Sequence, residues 1–152
     1  MTTDGIGVRL RTPSDLDACA HALALVHAAD RYPVDWPADP QGWLTPGDLL
    51  RAWVAVEEGR VLGHVGLAGA AEGPQVTRLF VVPTARGRGL AAVLLDTVRQ
   101  AAGRPVLLEV SDEGRAAVAL YERLGWRRVA STRARWLNAA GEPALLHHYV
   151  SP

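Results

Sequence analysis

One strand–turn–helix pattern constrains this chain more than any other stretch. The apolar, β-branched run at residues 79–82 leads into a turn rich in glycine and arginine, after which apolar residues recur at helical spacing. Gly87 and Gly89 permit positive φ angles and close approach of a bulky group to the main chain. The free N–H groups of a helix start, together with the guanidinium groups of Arg86 and Arg88, favour an anion. The stretch therefore predicts a site for a phosphate-bearing ligand.

The bulk composition is that of a single globular domain covering residues 1–152. Hydrophobic residues make up 49% and charged residues 21%, which suits a chain that buries a sizeable core. Sixteen basic and sixteen acidic side chains cancel, so there is no excess of cations for binding nucleic acid. No run approaches the ~18 apolar residues of a membrane-crossing helix, and the first residues are polar. We therefore expect a cytoplasmic protein that binds neither membrane nor nucleic acid.

Cysteine and histidine usage bears on two further kinds of site. The lone cysteine, Cys19, cannot form an intrachain disulfide, and its place on the apolar face of a predicted helix favours a buried thiol over a reactive one. His147 and His148 are adjacent in a predicted strand, so their side chains point to opposite faces and cannot chelate one metal ion. The expectation is that the protein holds no metal.

Strands and helices are interleaved along the chain. Alternating or apolar runs predict strands at residues 7–11, 50–56, 60–68, 75–82, 106–110, 126–135 and 145–150. Helical spacing is found at about residues 16–27, 89–101 and 117–124, with a short helix or loop after the first. The sequence thus predicts an α/β (α+β) domain with a mixed sheet of about six to seven strands and about four helices.

Residues 30–48 break this regularity with prolines, aspartates and aromatic side chains. A loop of such length inside a compact domain is often functional. Aromatic faces beside carboxylates suit a cationic amine, so Tyr32, Asp35 and Trp36 are candidates for a substrate-binding pocket. The alternative interpretation is that these aromatic side chains only cover the edge of the core.

The glycine turn also matches a dinucleotide-binding fingerprint, Gly87-x-Gly89-x-x-Ala92, with Glu109 about where a ribose-binding acid would lie. Residues 83–86 separate the strand from the first glycine, whereas that fingerprint places the turn at the strand's end. Too few residues follow Glu109 to complete a doubly wound sheet, and the earlier strands look like antiparallel hairpins. We therefore reject the dinucleotide interpretation.

Two blocks of sequence together point to a known family. The first, Arg86-Gly87-Arg88-Gly89-Leu90-Ala91, fits the pattern Gln/Arg-x-x-Gly-x-Gly/Ala after an apolar strand; the second, some thirty residues later, is Ala-Leu-Tyr-Glu-Arg-Leu-Gly-Trp at 119–126. With this spacing and strand order, the chain resembles the GCN5-related N-acetyltransferases. The resemblance implies a twisted sheet whose fourth and fifth strands splay apart, with acetyl-CoA bound between them.

The resemblance also implies a set of residues that bind acetyl-CoA. The pantetheine arm would pair with the open edge of residues 80–82, and the pyrophosphate would accept hydrogen bonds from the N–H groups of residues 87–92. The implied set is Phe80, Val81, Val82, Arg86, Gly87, Arg88, Gly89, Leu90, Ala91 and Ala92. Gly114 departs from the family pattern, because relatives often carry an asparagine there that touches CoA.

Acetyl transfer to an amine needs a neutral nitrogen, a stabilised oxyanion and a proton for the departing thiolate. The resemblance implies that Tyr121 donates this proton, although its spacing also fits simple packing on the core face of its helix. A backbone N–H near Val81 or Val82 would polarise the thioester carbonyl. These assignments give a catalytic acid and an oxyanion donor, but no base.

The base is open among three alternatives. Glu109 lies twelve residues before Tyr121, as a base proposed in some relatives does, and is the first candidate. His64 is the second, the alternative being a half-buried strand histidine. An ordered water relay is the third, because Gln75 and Thr77 stand where many relatives carry glutamates on the fourth strand.

The expected activity is transfer of an acetyl group from acetyl-CoA to a primary amine of a small molecule or a protein N-terminus. Cys19 is far in sequence from both blocks, so we expect direct transfer in a ternary complex rather than an acetyl-enzyme. Two alternatives are a non-catalytic module that binds or senses acyl-CoA, and a tRNA-acetylating toxin, which the neutral net charge disfavours. The sequence leaves a homodimer open.

Overall fold

A mixed sheet forms the centre of the computed structural model, which describes residues 2–3 and 5–152. Its main strands are β1 (Ile6–Leu10), β2 (Leu49–Glu57), β3 (Arg60–Ala70), β4 (Gly73–Val81), β5 (Leu107–Ser111), β6 (Arg127–Leu137) and β7 (Pro143–Val150). They lie in the order β1-β2-β3-β4-β5-β7-β6, and a two-residue strand, Thr2–Thr3, pairs with the outer edge of β1. Every neighbouring pair is antiparallel except β4 and β5, whose parallel pairing belongs to the fold that the family resemblance implied.

Four helices accompany this sheet in the described residues; three lie where apolar spacing predicted them, and the short one, Pro40–Trp43, lies in the segment predicted as a loop or short helix. They are α1 (Leu16–Asp30), α2 (Pro40–Trp43), α3 (Leu90–Ala102) and α4 (Arg115–Arg123), with 3₁₀ turns at Pro13–Asp15 and Pro83–Ala85. Both α1 and α3 contact β3, in which all residues from 62 to 68 are buried. Because side chains alternate along a strand, this continuous burial shows that both faces of β3 are covered.

The core is continuous from the α1 face through the sheet to α3 and α4. Cys19 on α1 is fully buried, which confirms the prediction for it, and burial raises the pKa of its thiol to about 11. Asp15 begins the first helical segment by accepting from the Thr12 N–H at 2.7 Å and from Arg9 at 2.8 Å. Together these contacts fix α1 against the sheet.

A β-bulge interrupts β4 at its centre. Gly66 pairs with Thr77 and His64 pairs with Phe80, so Val65 faces two residues of β4 rather than one. One of those two, Arg78, has a left-handed φ of 53°, which is uncommon for a residue with a side chain. The bulge increases the local twist of β4 and turns its second half away from the path of β5.

The two parallel strands meet at only one register pair, Gln75 with Leu107. Beyond it β4 pairs with β3 alone, while β5 pairs with β7 alone, among the described residues. The splay of the fourth and fifth strands that the resemblance implied is thus confirmed. It leaves one backbone edge of β4 open toward β5.

None of the helices in the described part of the chain has the length and apolar character that crossing a membrane requires. Within residues 2–3 and 5–152, no three His, Cys, Asp or Glu side chains are grouped as metal ligands.

Candidate active site

The open edge of β4 presents one backbone amide to the gap. The Val82 N–H donates to the Leu62 carbonyl at 2.9 Å, which makes these two residues a hydrogen-bonded pair of the antiparallel ladder. Because such pairs alternate, the N–H and C=O groups of the preceding Val81 point away from β3 and into the gap. Of the two amides considered from the sequence, only that of Val81 is therefore available to a group lying between β4 and β5.

The glycine turn lies between β4 and α3. Gly87 and Gly89 have φ angles of 79° and 75°, and a Cβ at either position would have no atom within 4 Å. Glycine is therefore required here by backbone conformation and not by crowding. The N–H groups of Leu90, Ala91 and Ala92 form the first turn of α3 and find no acceptor among the described residues. They form a ready site for an anionic group.

Arg86 and Arg88 hold this turn in place through carboxylates. Arg86 pairs with Asp30 at the end of α1 and donates to the Val81 carbonyl at 3.2 Å. Arg88 pairs with Glu57 at the end of β2, at 2.9 Å. Both guanidinium groups are thus partly neutralised by the protein itself, which leaves the N–H groups of α3 as the principal ligands for an anion.

Tyr121 on α4 is only 7% exposed, and its ring packs between Trp126 and Tyr149 at centroid distances of 6.2 and 6.1 Å. Its hydroxyl makes no hydrogen bond to the described residues, yet it is not sealed in the core. Burial, and secondarily the neighbouring Tyr32, raises the pKa of Tyr121 above the usual range of a phenol. The side chain therefore stays protonated at neutral pH and has a proton to donate.

Tyr32 connects the loop after α1 to this region. Its ring meets that of Trp43 edge-on at 5.9 Å, and the Arg78 guanidinium lies 4.0 Å from the centre of the Trp43 ring. Although 37% of Tyr32 is exposed, desolvation raises the pKa of its phenol to about 12, with the charge of Arg78 opposing the rise. Tyr32 and Arg78 both contact Trp43, and Tyr32 lies within electrostatic range of Tyr121. We call these four side chains the aromatic–arginine cluster.

The other two loop candidates lie elsewhere. Trp36 packs against His27 on α1 at a centroid distance of 5.4 Å, and His27 Nδ1 lies 2.7 Å from the Pro33 carbonyl. Asp35 is exposed and has no hydrogen bond or ion pair with the described residues. Of the three predicted substrate-binding residues, only Tyr32 thus belongs to the aromatic–arginine cluster.

His64 is fully buried on β3, stacked on Phe80 at 5.2 Å. Arg11 Nη1 donates to its Nε2 at 2.9 Å, so the ring proton lies on Nδ1, which donates to the Arg78 carbonyl at 2.8 Å. Burial, and to a smaller extent the charges of Arg11 and Arg78, lowers the pKa of His64 to about 4. Both ring nitrogens are engaged, so this side chain is suited to holding the bulge and not to taking a proton from an amine.

The burial of neutral His64 predicts a specific loss of stability in mild acid. The unfolded state takes up a proton near pH 6.5 and the folded state only near pH 4, so stability present above pH 6.5 falls as the pH is lowered toward 4. The loss attributable to this residue is roughly 3 kcal/mol over that range. Urea unfolding of the wild type and of His64→Asn at pH 7 and pH 5 measures it. A slope of stability against pH that is equal in both proteins would contradict the assignment.

Glu109 lies on β5, beside the gap. Leu108 pairs with Tyr149 on the face covered by α4, so Glu109 and its register partner His148 lie on the opposite face. The Glu109 carboxylate is 43% exposed and 3.7 Å from His148 Nδ1, while Thr132 Oγ1 lies 2.8 Å from His148 Nε2. Glu109 is thus an accessible carboxylate with a histidine beside it, which suits a base that works through solvent.

His147 points to the other face, as predicted from its place in a strand. It is buried, with Nδ1 at 2.8 Å from Ser131 Oγ and Nε2 at 2.8 Å from Asp112 Oδ1. This hydrogen bond lowers the pKa of the Asp112 carboxyl and ties the segment before α4 to β7. The contact between His147 and Asp112 thereby helps to fix the start of α4, the helix that carries Tyr121.

Two residues of the aromatic–arginine cluster were missed by the sequence candidates. Trp43 could have been found, because it belongs to the same aromatic loop as Tyr32. Arg78 could not have been found from the sequence, because an arginine within an apolar strand is expected to face outward. Only the bulge turns it toward the loop.

Comparison with known proteins places this geometry in context. Residues 48–128 match the family described as "Acetyltransferase (GNAT) domain". A mycothiol acetyltransferase of Nocardioides sp. is 36% identical over 81% of this chain and 50% of its own length. The chain spans about half or less of the curated relatives it matches.

Solved structures share the fold over nearly the whole chain. The ribosomal-protein-S18-alanine N-acetyltransferase from Escherichia coli superposes with a TM-score of 0.76 at 20% identity, covering 97% of this chain and 93% of its own. NAA60 of Arabidopsis thaliana, solved in complex with acetyl-CoA, superposes with a TM-score of 0.73 at 24% identity, covering 95% and 97%. At these identities the likeness concerns the fold.

Proposed function

Because the chain belongs to the GNAT acetyltransferase family, we propose that it transfers an acetyl group from acetyl-CoA to a primary amine of a small molecule or a protein N-terminus. The observation that carries the proposal is the gap beyond the Gln75–Leu107 pair. This gap has the free Val81 N–H on its β4 edge, and β4 leads directly into the anion-binding turn at residues 87–92. Such an arrangement fits a long ligand with a reactive group at one end and phosphates along its length.

The residues present fit acetyl-CoA, which when bound would supply an activated thioester. The N–H groups of Leu90, Ala91 and Ala92 would hold the pyrophosphate, with Gly87 and Gly89 giving the turn its shape. Residues 80–82 would carry the pantetheine arm, and the Val81 N–H would donate to the thioester oxygen as negative charge develops there. Gly114 lacks the side chain for the CoA contact that relatives make.

We assign the proton transfers to two side chains. Glu109 would take the proton of the amine, directly or through a water molecule, as the nitrogen forms its bond to the carbonyl carbon. Tyr121 would give its proton to the sulfur as the carbon–sulfur bond breaks. Since Cys19 is buried, transfer would be direct, within a ternary complex. Acting on acetyl-CoA, the protein would work in the cytoplasm.

A thiol-release assay tests this function. Purified protein is incubated with acetyl-CoA and a panel of amines, amino acids, polyamines and aminoglycosides, and free CoA is followed with a thiol-reactive chromophore. Release that requires both an amine and folded protein is expected. Stabilisation by acetyl-CoA in a thermal melt, without thiol release for any member of the panel, would favour the acyl-CoA-binding module instead.

A further inference from the structure

Arg78 occupies an unusual backbone position that several contacts hold in place. Its φ of 53° lies in the left-handed region, which is strained for a residue with a Cβ. The His64 Nδ1–H donates to the Arg78 carbonyl at 2.8 Å, and the Arg78 Nε–H donates to the Trp43 carbonyl at 2.9 Å. The guanidinium also stacks on the Trp43 ring. The fold therefore fixes this guanidinium at one edge of the aromatic–arginine cluster.

The charge of Arg78 has no counterion among residues 2–3 and 5–152. Its hydrogen bonds go to a carbonyl and to the Thr77 hydroxyl at 3.4 Å, and no carboxylate of the described residues lies within ion-pair distance. Arg11, a second half-buried arginine nearby, has both Nη1 donors and one Nη2 donor taken up by Leu44, His64 and Thr45. Arg78 has only its Nε donor in a short hydrogen bond and keeps Nη donors that no described residue accepts. A half-buried cation in this state favours an anionic ligand.

The position of this charge relates it to the proposed chemistry. Arg78 lies on β4 three residues before Val81, whose N–H is the proposed oxyanion donor, so the two backbone positions are about 10 Å apart or less. The arginine side chain covers part of that distance. A molecule only a few atoms long, with an amine at one end and a carboxylate at the other, would span the rest.

On the basis of the proposed function, we infer that the acceptor is a small amine that also carries a carboxylate, such as a free α-amino acid, and that Arg78 binds the carboxylate. The planar fork of the guanidinium matches the two oxygens of a carboxylate. A protein N-terminus has a neutral peptide carbonyl where an amino acid has its carboxylate, so this inference favours a small molecule over a protein as acceptor.

Matched pairs of acceptors test the inference. Thiol release is measured with amino acids and with their amides, which differ only in the charge of the carboxyl group. Arg78→Gln is expected to raise KM for the amino acid about 10- to 100-fold and to leave KM for the amide within about 2-fold. Arg78→Lys keeps the charge without the forked donors, so its KM for the amino acid is expected to lie between those of the wild type and Arg78→Gln. Arg104→Gln, an exposed arginine after α3, is the control and should change neither.

Binding measurements separate this inference from the proposed function. Calorimetric titration of amino acid and amide into CoA-loaded protein needs no turnover, so it remains informative if no amine is acetylated. Wild-type protein should bind the amino acid more tightly than the amide, and Arg78→Gln should abolish the difference. Equal affinity for both in the wild type, or equal losses for both in a variant whose thermal melt shows it folded, would overturn the inference.

Discussion

Replacing Tyr121 with phenylalanine is expected to lower kcat for amine acetylation by about 10²-fold or more, with little change in melting temperature. The hydroxyl has no hydrogen-bond partner in the described residues, so its removal leaves no group of the fold unsatisfied. The ring contacts with Trp126 and Tyr149 remain in the variant. Steady-state kinetics with saturating acetyl-CoA, together with a thermal melt, measure the two effects.

Tyr149 supplies a matched control for this substitution. It is a second buried tyrosine in contact with Tyr121, but its hydroxyl donates to Glu122 at 2.7 Å. Tyr149→Phe should therefore cost about 1 kcal/mol of folding free energy and leave kcat unchanged. A loss of kcat that is the same in both variants would show that the hydroxyl of Tyr121 matters only for packing, and would remove it from the mechanism.

Features that depend on local chemistry were predictable from the sequence. Positive φ angles at Gly87 and Gly89, the start of α3 and its apolar face all follow from residues that are close together in the chain. The nearly all-apolar run at residues 106–110 is typical of a buried parallel strand, which β5 is. Family resemblance, and not periodicity, supplied the splay between these strands.

Features that depend on contacts distant in sequence were not predictable in this way. Arg86 reads as a phosphate ligand, and only the approach of Asp30 shows that its charge is shared within the protein. His64 reads as a candidate base, but the approach of Arg11 fixes its tautomer and keeps it neutral. The composition of the loop at residues 30–48 does not predict that Tyr32 packs against Trp43 whereas Trp36 packs against His27 on α1.

The second large effect is expected at the glycine turn. Gly89→Ala should weaken acetyl-CoA binding at least about 10-fold, because the N–H groups of the first turn of α3 must point together at the pyrophosphate. At a φ of 75° the new Cβ strains the backbone by about 1–2 kcal/mol. Relief of that strain rotates Gly89, which caps α3, and turns the N–H groups out of alignment. Calorimetric titration with acetyl-CoA measures the affinity.

A substitution at Gly103, at the other end of the same helix, is the control that distinguishes a loss of acetyl-CoA binding from a general effect of backbone strain. Its φ is 64°, and a Cβ there, as at Gly89, would meet no atom within 4 Å. Gly103→Ala should therefore lower the melting temperature as much as Gly89→Ala does, yet bind acetyl-CoA with wild-type affinity. If both variants lose affinity equally, strain carried through α3 explains the effect. If neither loses it, the pyrophosphate is held elsewhere and the anion site at residues 87–92 is wrong.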